Sequence, residues 1–85
     1  MQTCENLKSG VPAIVVSVGG SRVLRKRLSS LGIFKGASIV FIRRAPFGDP
    51  LEFKTGETRL AIRKKDARLI KVEYDQKKWT KRLFV

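Results

Sequence analysis

The longest apolar runs in this chain, AIVV (13–16) and IVFI (39–42), are four residues each. That limit constrains the fold more than any other feature. A membrane-spanning helix needs roughly twenty apolar residues, and runs of four broken by glycine and proline make short strands instead. VPAIVVSV (11–18) is β-branched, is entered through Pro12 and is left through Gly19-Gly20. It reads as a strand with Pro12 at its start or edge, because proline cannot donate to a ladder.

One segment breaks the β pattern. In GGSRVLRKRLSSLG the spacing predicts a helix over 21–31, with Ser21 as N-cap and Gly32 as the left-handed residue beyond its C-terminus. Leu24, Leu28 and Leu31 recur at i, i+4 and i+7 and form one narrow apolar stripe. Arg22, Arg25 and Lys26 fall on the opposite face. Such a face is commonly only solvated, but it is also a candidate docking surface. Arg27 lies beside the leucines, where its stem can cover apolar surface while its guanidinium reaches loop carbonyls near Gly32 or Gly36.

From Ala37 the alternation returns. Strict period two puts Ile39, Phe41 and Arg43 on one face and Val40, Ile42 and Arg44 on the other. LEFK, the TGET turn with its permissive Gly56, and TRLAI follow, then a helical turn near 64–67 and a last strand, IKVEY. The expectation is a mainly β chain: a small, partly open SH3-like barrel of about five short strands with one helix. Residues 1–75 make one domain, and 76–85 form a basic tail whose Trp79 and Leu83, four apart, suit packing on the barrel or on another subunit.

Between two of these strands stands RAPFGDPL (44–51), far stiffer than a two-residue hairpin turn requires. Pro46 and Pro50 cut the freedom of the unbound chain, Gly48 permits a sharp turn, and Asp49 can bond nearby amides or stay free for a partner. Phe47 is the candidate anchor, since aromatic side chains concentrate interface energy. It either folds over the barrel end or points outward, and outward is the expectation.

Charge narrows the partners. Nineteen basic and seven acidic residues give +12. Residues 21–45 hold seven cations and no acid, whereas 46–75 are nearly balanced, and the tail adds four cations. An excess so placed suits something negative: an acidic protein, nucleic acid or an anionic lipid surface. The KKWTKR stretch (77–82) adds to the nucleic-acid reading, yet no helix-turn-helix or strand-borne RNA-binding signature is present.

The inventory of reactive groups argues against an enzyme. The chain has no histidine and one cysteine, Cys4, so it can build neither an intramolecular disulfide nor a Cys/His metal site. Gly19-Gly20 before a helix resembles a phosphate site, but GGSR lacks the Walker spacing. The carboxylate pairs Asp49/Glu52 and Glu73/Asp75 sit among cations and make poor ferrous sites. No cofactor or metal is expected, and Asp66 is expected to pair locally within the Arg63, Lys64, Lys65 run. The N-terminus carries Glu5 and no apolar stretch of signal-peptide length, which fits a cytoplasmic domain.

Three stretches in order resemble the FeoA family: RLSSLGIFKG (27–36), with Arg27, Leu28, Leu31, Gly32 and Gly36 as signature positions; RAPFGDPLEF (44–53), similar to the family's Ala-Pro-x-Gly-Asp-Pro hairpin; and RLAIRKKDARLIKV (59–72). The resemblance implies a cytoplasmic accessory protein of ferrous iron uptake with an SH3-like barrel. It also implies action by contact with the G-domain of FeoB, a membrane transporter. The same fold occurs as the C-terminal domain of DtxR-type iron-dependent repressors, so an SH3-like domain of a regulator and a small basic nucleic-acid-binding barrel stand as alternatives. Candidate contact residues are Pro46, Phe47, Gly48, Asp49 and Pro50, with Arg22, Arg25 and Lys26. Self-association is left open.

Overall fold

A computed structural model describes residues 2–75. Its elements run β1 (Gln2–Thr3), a 3-10 turn (Cys4–Asn6), β2 (Pro12–Val18), α1 (Arg22–Ser30), β3 (Ser38–Arg44), β4 (Leu51–Thr55), β5 (Thr58–Ile62), α2 (Lys64–Ala67) and β6 (Ile70–Tyr74). The six strands make one antiparallel sheet in the order β1-β6-β2-β3-β4-β5, with β1 and β5 at its free edges. The strand count is six rather than about five. Gln2 and Thr3 carry no readable periodicity and become a strand by pairing with Val72 and Lys71. The predicted packing of Trp79 and Leu83 lies outside the described residues.

The core is formed where the period-two pattern turns inward. Val15, Ile39, Leu51, Phe53, Ile70 and Val72 are essentially inaccessible to water, and Ile33 and Cys4 join them from the segments between strands. Each large member contributes ~1.5–3 kcal/mol through burial. Phe41 and Phe53 oppose each other across β3 and β4, with ring centroids 5.5 Å apart and planes tilted by 53°. That is a favoured aromatic arrangement.

Helix α1 starts where Ser21 Oγ accepts a hydrogen bond from the Leu24 amide (3.1 Å), a cap worth ~1 kcal/mol. It ends at Leu31, and Gly32 takes φ +100°. A Cβ on Gly32 would sit 2.8 Å from Thr55 Oγ1, so both the backbone angle and the space call for glycine. Of the predicted leucine stripe only Leu28 is buried; Leu24 is half-buried, and Leu31, at the C-cap, is 42% exposed. Leu31 instead lines an open groove with Ala61 and Ile62 of β5.

Strand β3 also departs from strict alternation. Phe41 faces Phe53 but Arg43 faces Glu52, so Ile42 is an extra residue in a bulge. The Ile42 carbonyl accepts a bond from Ser9 Oγ (2.6 Å). Beyond the bulge the faces exchange. Arg44, expected beside Val40 and Ile42, instead stands opposite Leu51 with its guanidinium 5.8 Å from the Phe41 ring centre.

Candidate functional site

The PFGDP loop is held closed by its own backbone. The Gly48 amide bonds to the Ala45 carbonyl at 2.8 Å, and the Ala45 amide to the Pro50 carbonyl at 2.9 Å. Pro46 at the second position of this turn, Gly48 at the fourth and no positive φ at Phe47 are the marks of a type I turn. Gly48 itself takes φ +90°, and the Asp49–Pro50 peptide is cis.

A third bond comes from elsewhere in the chain. Asp49 Oδ1 accepts the backbone N–H of Lys64 at 2.9 Å, at the start of α2. Helix α2 has no cap from its own N-cap residue, Arg63, so the loop supplies one. Asp49 therefore spends one oxygen on architecture. Phe47 spends nothing on it: its side chain is 100% exposed, outward as the sequence suggested, with exposed Pro46 beside it. An aromatic held fully in water forgoes ~2–3 kcal/mol of burial.

The second candidate patch divides. Arg22, Arg25 and Lys26 are all exposed on α1, but Arg25 folds back so that its Nη1 donates to the Gly20 carbonyl (2.6 Å). Arg27 does not reach the carbonyls near Gly32 or Gly36. Its guanidinium lies 3.8 Å from Asp66 Oδ2 in α2, and Asp66 pairs with it rather than within the 63–65 run. Arg27 and Asp66 meet at one groove beside Ile62, a neighbourhood that their distance in sequence conceals. With Arg27 largely exposed, the pair contributes less than ~1 kcal/mol. Among the described residues no hydrogen bond or ion pair joins Arg22, Arg25 or Lys26 to the PFGDP loop.

At the base of the loop Arg43 grips Glu52 through two bonds, Nε to Oε2 at 2.9 Å and Nη2 to Oε1 at 3.4 Å. That grip holds the Glu52 carboxyl below its usual range and raises the Arg43 guanidinium above its own. Glu5 and Arg68 make a further pair linking the N-terminal turn to the end of α2. Cys4 is buried, and burial pushes its thiol up to about 12. It is a protonated core residue, not a nucleophile.

Three exposed hydrophobic residues escaped the sequence reading: Val23 (77% exposed), Phe34 (50%) and Leu69 (38%). Val23 lies off the Leu24, Leu28, Leu31 stripe, which was signal enough. Ile33 and Phe34 are adjacent, and nothing in the sequence says that only Ile33 enters the core. Among the described residues no group of three or more carboxylate, cysteine or histidine side chains could hold a metal, and no helix is long and apolar enough to cross a membrane.

Comparison with known proteins accords with this geometry. Residues 4–74 match the FeoA domain. Over 67 residues the chain is 34% identical to a Fe(2+) transport protein A/Fe(2+) transporter FeoB fusion protein of Porphyromonas gingivalis, spanning 79% of this chain and 8% of that one. The solution structure of iron(II) transport protein A from Clostridium thermocellum superposes with a TM-score of 0.82 at 33% identity, covering 88% of this chain and 46% of that one. The zinc-complexed FeoA of Stenotrophomonas maltophilia, described as a prokaryotic SH3 domain protein, superposes with a TM-score of 0.73 at 30% identity, covering 86% and 91%. The chain thus spans less than half the length of the first two. The mainly β, SH3-like architecture read from the sequence is the one these proteins share.

Proposed function

The chain belongs to the FeoA family, which is associated with ferrous iron transport, and from that premise we propose that it acts by contact on the cytoplasmic G-domain of a FeoB-type membrane transporter. The observation that carries this reading is Phe47, wholly exposed at the tip of a loop that three hydrogen bonds hold in place. A preorganised aromatic loses little entropy on docking, so most of its burial energy becomes affinity. The fusion of an iron transport protein A to FeoB in one P. gingivalis chain supports the same pairing, because fused partners work side by side.

In this reading the chain performs no chemistry of its own. Iron is the transporter's cargo, and this chain works from the cytoplasm at the inner face of the membrane. Residues 1–75 are the working domain, and the basic 76–85 segment adds charge toward an acidic partner or surface. Titrating the G-domain with this chain, in each nucleotide state, tests the contact. Absence of binding at ~100 μM, where even weak encounters register, overturns it.

A further inference from the structure

We propose that the open edge of β5 accepts an extended, acidic peptide segment of another protein as an added strand. This surface is distinct from the Phe47 tip, and the inference does not depend on the G-domain contact.

The edge is defined by pairing. β5 is bonded only to β4, and Thr55 and Thr58 face each other across the two-residue turn Gly56-Glu57. The pair closing such a turn is hydrogen-bonded, and bonded and non-bonded pairs alternate along an antiparallel ladder. Thr58, Leu60 and Ile62 therefore use their amides and carbonyls on β4, whereas Arg59 and Ala61 direct theirs outward. Among the described residues no other backbone or side-chain group bonds to them. An outward amide and carbonyl on alternate residues is the template for strand addition.

The edge is also a trough. Three open grooves of about 420, 390 and 180 Å³ adjoin β5, and Ala61, with its small side chain, lines all three. One passes Asp49 and Pro50 at the foot of the PFGDP loop. Another is floored by Leu31 and Ile62 between α1 and β5, so the leucine that missed the core supplies an apolar wall.

Charge selects the occupant. The acids of the trough are engaged: Glu52 by Arg43, Asp66 by Arg27 and Asp49 by the Lys64 amide. The guanidiniums of Arg59 and Arg63 make no hydrogen bond or ion pair among the described residues; Arg59 exerts only the smallest of the pulls on Glu52. An incoming strand with carboxylates facing Arg59 and Arg63 and an apolar residue facing Leu31 meets both needs. A second copy would bring the same cations and +12 against +12, and the chain's own 76–85 segment carries four cations and no acid. Both are repelled where a foreign acidic segment is attracted.

An acetylated, amidated eight-residue peptide of alternating valine and glutamate, titrated into the isotope-labelled chain at low salt, tests this by amide NMR. The largest shifts and the gain in exchange protection are expected at Arg59 and Ala61, with binding weakened about tenfold or more for the valine–lysine counterpart. Ala61→Pro removes an outward amide that the native ladder does not use and is expected to abolish binding while the fold persists. Should that variant fail to fold, the Arg59→Glu/Arg63→Glu pair decides, with an expected loss of about tenfold or more. Strongest shifts on α1, binding indifferent to both variants, no binding at ~1 mM, or protection of Arg59 and Ala61 that rises with protein concentration alone would each overturn the proposal.

Discussion

The carboxylate of Asp49 caps a helix it does not belong to: its Oδ1 takes the Lys64 amide at 2.9 Å, fifteen residues along the chain. One bond thus fixes the foot of the Phe47 loop and the first turn of α2 together. Of the two roles open to this side chain, bonding backbone amides or meeting a partner, it fills the first.

Asp49→Ala should cost ~1–2 kcal/mol, the usual loss for a helix-capping, charge-assisted bond. Asp49→Asn, which keeps an acceptor, should recover part of it. Urea denaturation gives the stability change, and faster exchange of the Lys64 amide identifies its source.

Phe47→Ala should leave stability within ~0.5 kcal/mol of the parent, as exposed sites do. Phe53→Ala, which empties a fully buried site, should cost ~3–5 kcal/mol. The contrast between two phenylalanines six positions apart is measurable in one set of thermal melts.

Gly32→Ala should destabilise the chain by ~1–3 kcal/mol through its left-handed backbone and its approach to Thr55 Oγ1. Adding Thr55→Ala removes the steric part and leaves the backbone part. A double-mutant cycle should therefore show a partial rescue, not a full one.

Acid should release the Arg43–Glu52 grip. Because the folded carboxyl lies below its ordinary value of 4.5, the stability it contributes is present above that pH and is lost as pH falls through the folded value. A carboxyl NMR titration should place Glu52 below the ordinary range in the parent chain and nearer to it in Arg43→Ala.

Cys4 should resist disulfide-exchange reagents at neutral pH until the chain unfolds, since its buried thiol is held protonated up to about 12. Labelling should then follow urea unfolding. Because the folded thiol ionises later than the unfolded one, stability should fall as pH rises past the ordinary value of 9.0.

Periodicity and turn chemistry made most of this fold legible. The N-cap at Ser21, the glycine at 32, the TGET turn and the α2 turn each follow from local rules, and local rules need only neighbours. What the sequence concealed depends on residues distant in the chain. The bulge at Ile42, which carries Arg44 across the sheet, is a matter of register with β4. The pairing of Arg27 with Asp66 spans the whole β3–β5 unit, and the capping of α2 by Asp49 joins a loop to a helix that have no shared pattern. The candidate site was legible as a loop and a face; the long-range bonds that fix the loop were not.

The central claim rests on Phe47, and calorimetric titration of the FeoB G-domain with the parent chain and with Phe47→Ala tests it most directly. The account predicts binding by the parent and a loss of about tenfold or more in the variant, the scale of an interface hot spot, with the melting temperature unchanged. Equal affinities for the two chains, or no binding by either, would contradict it.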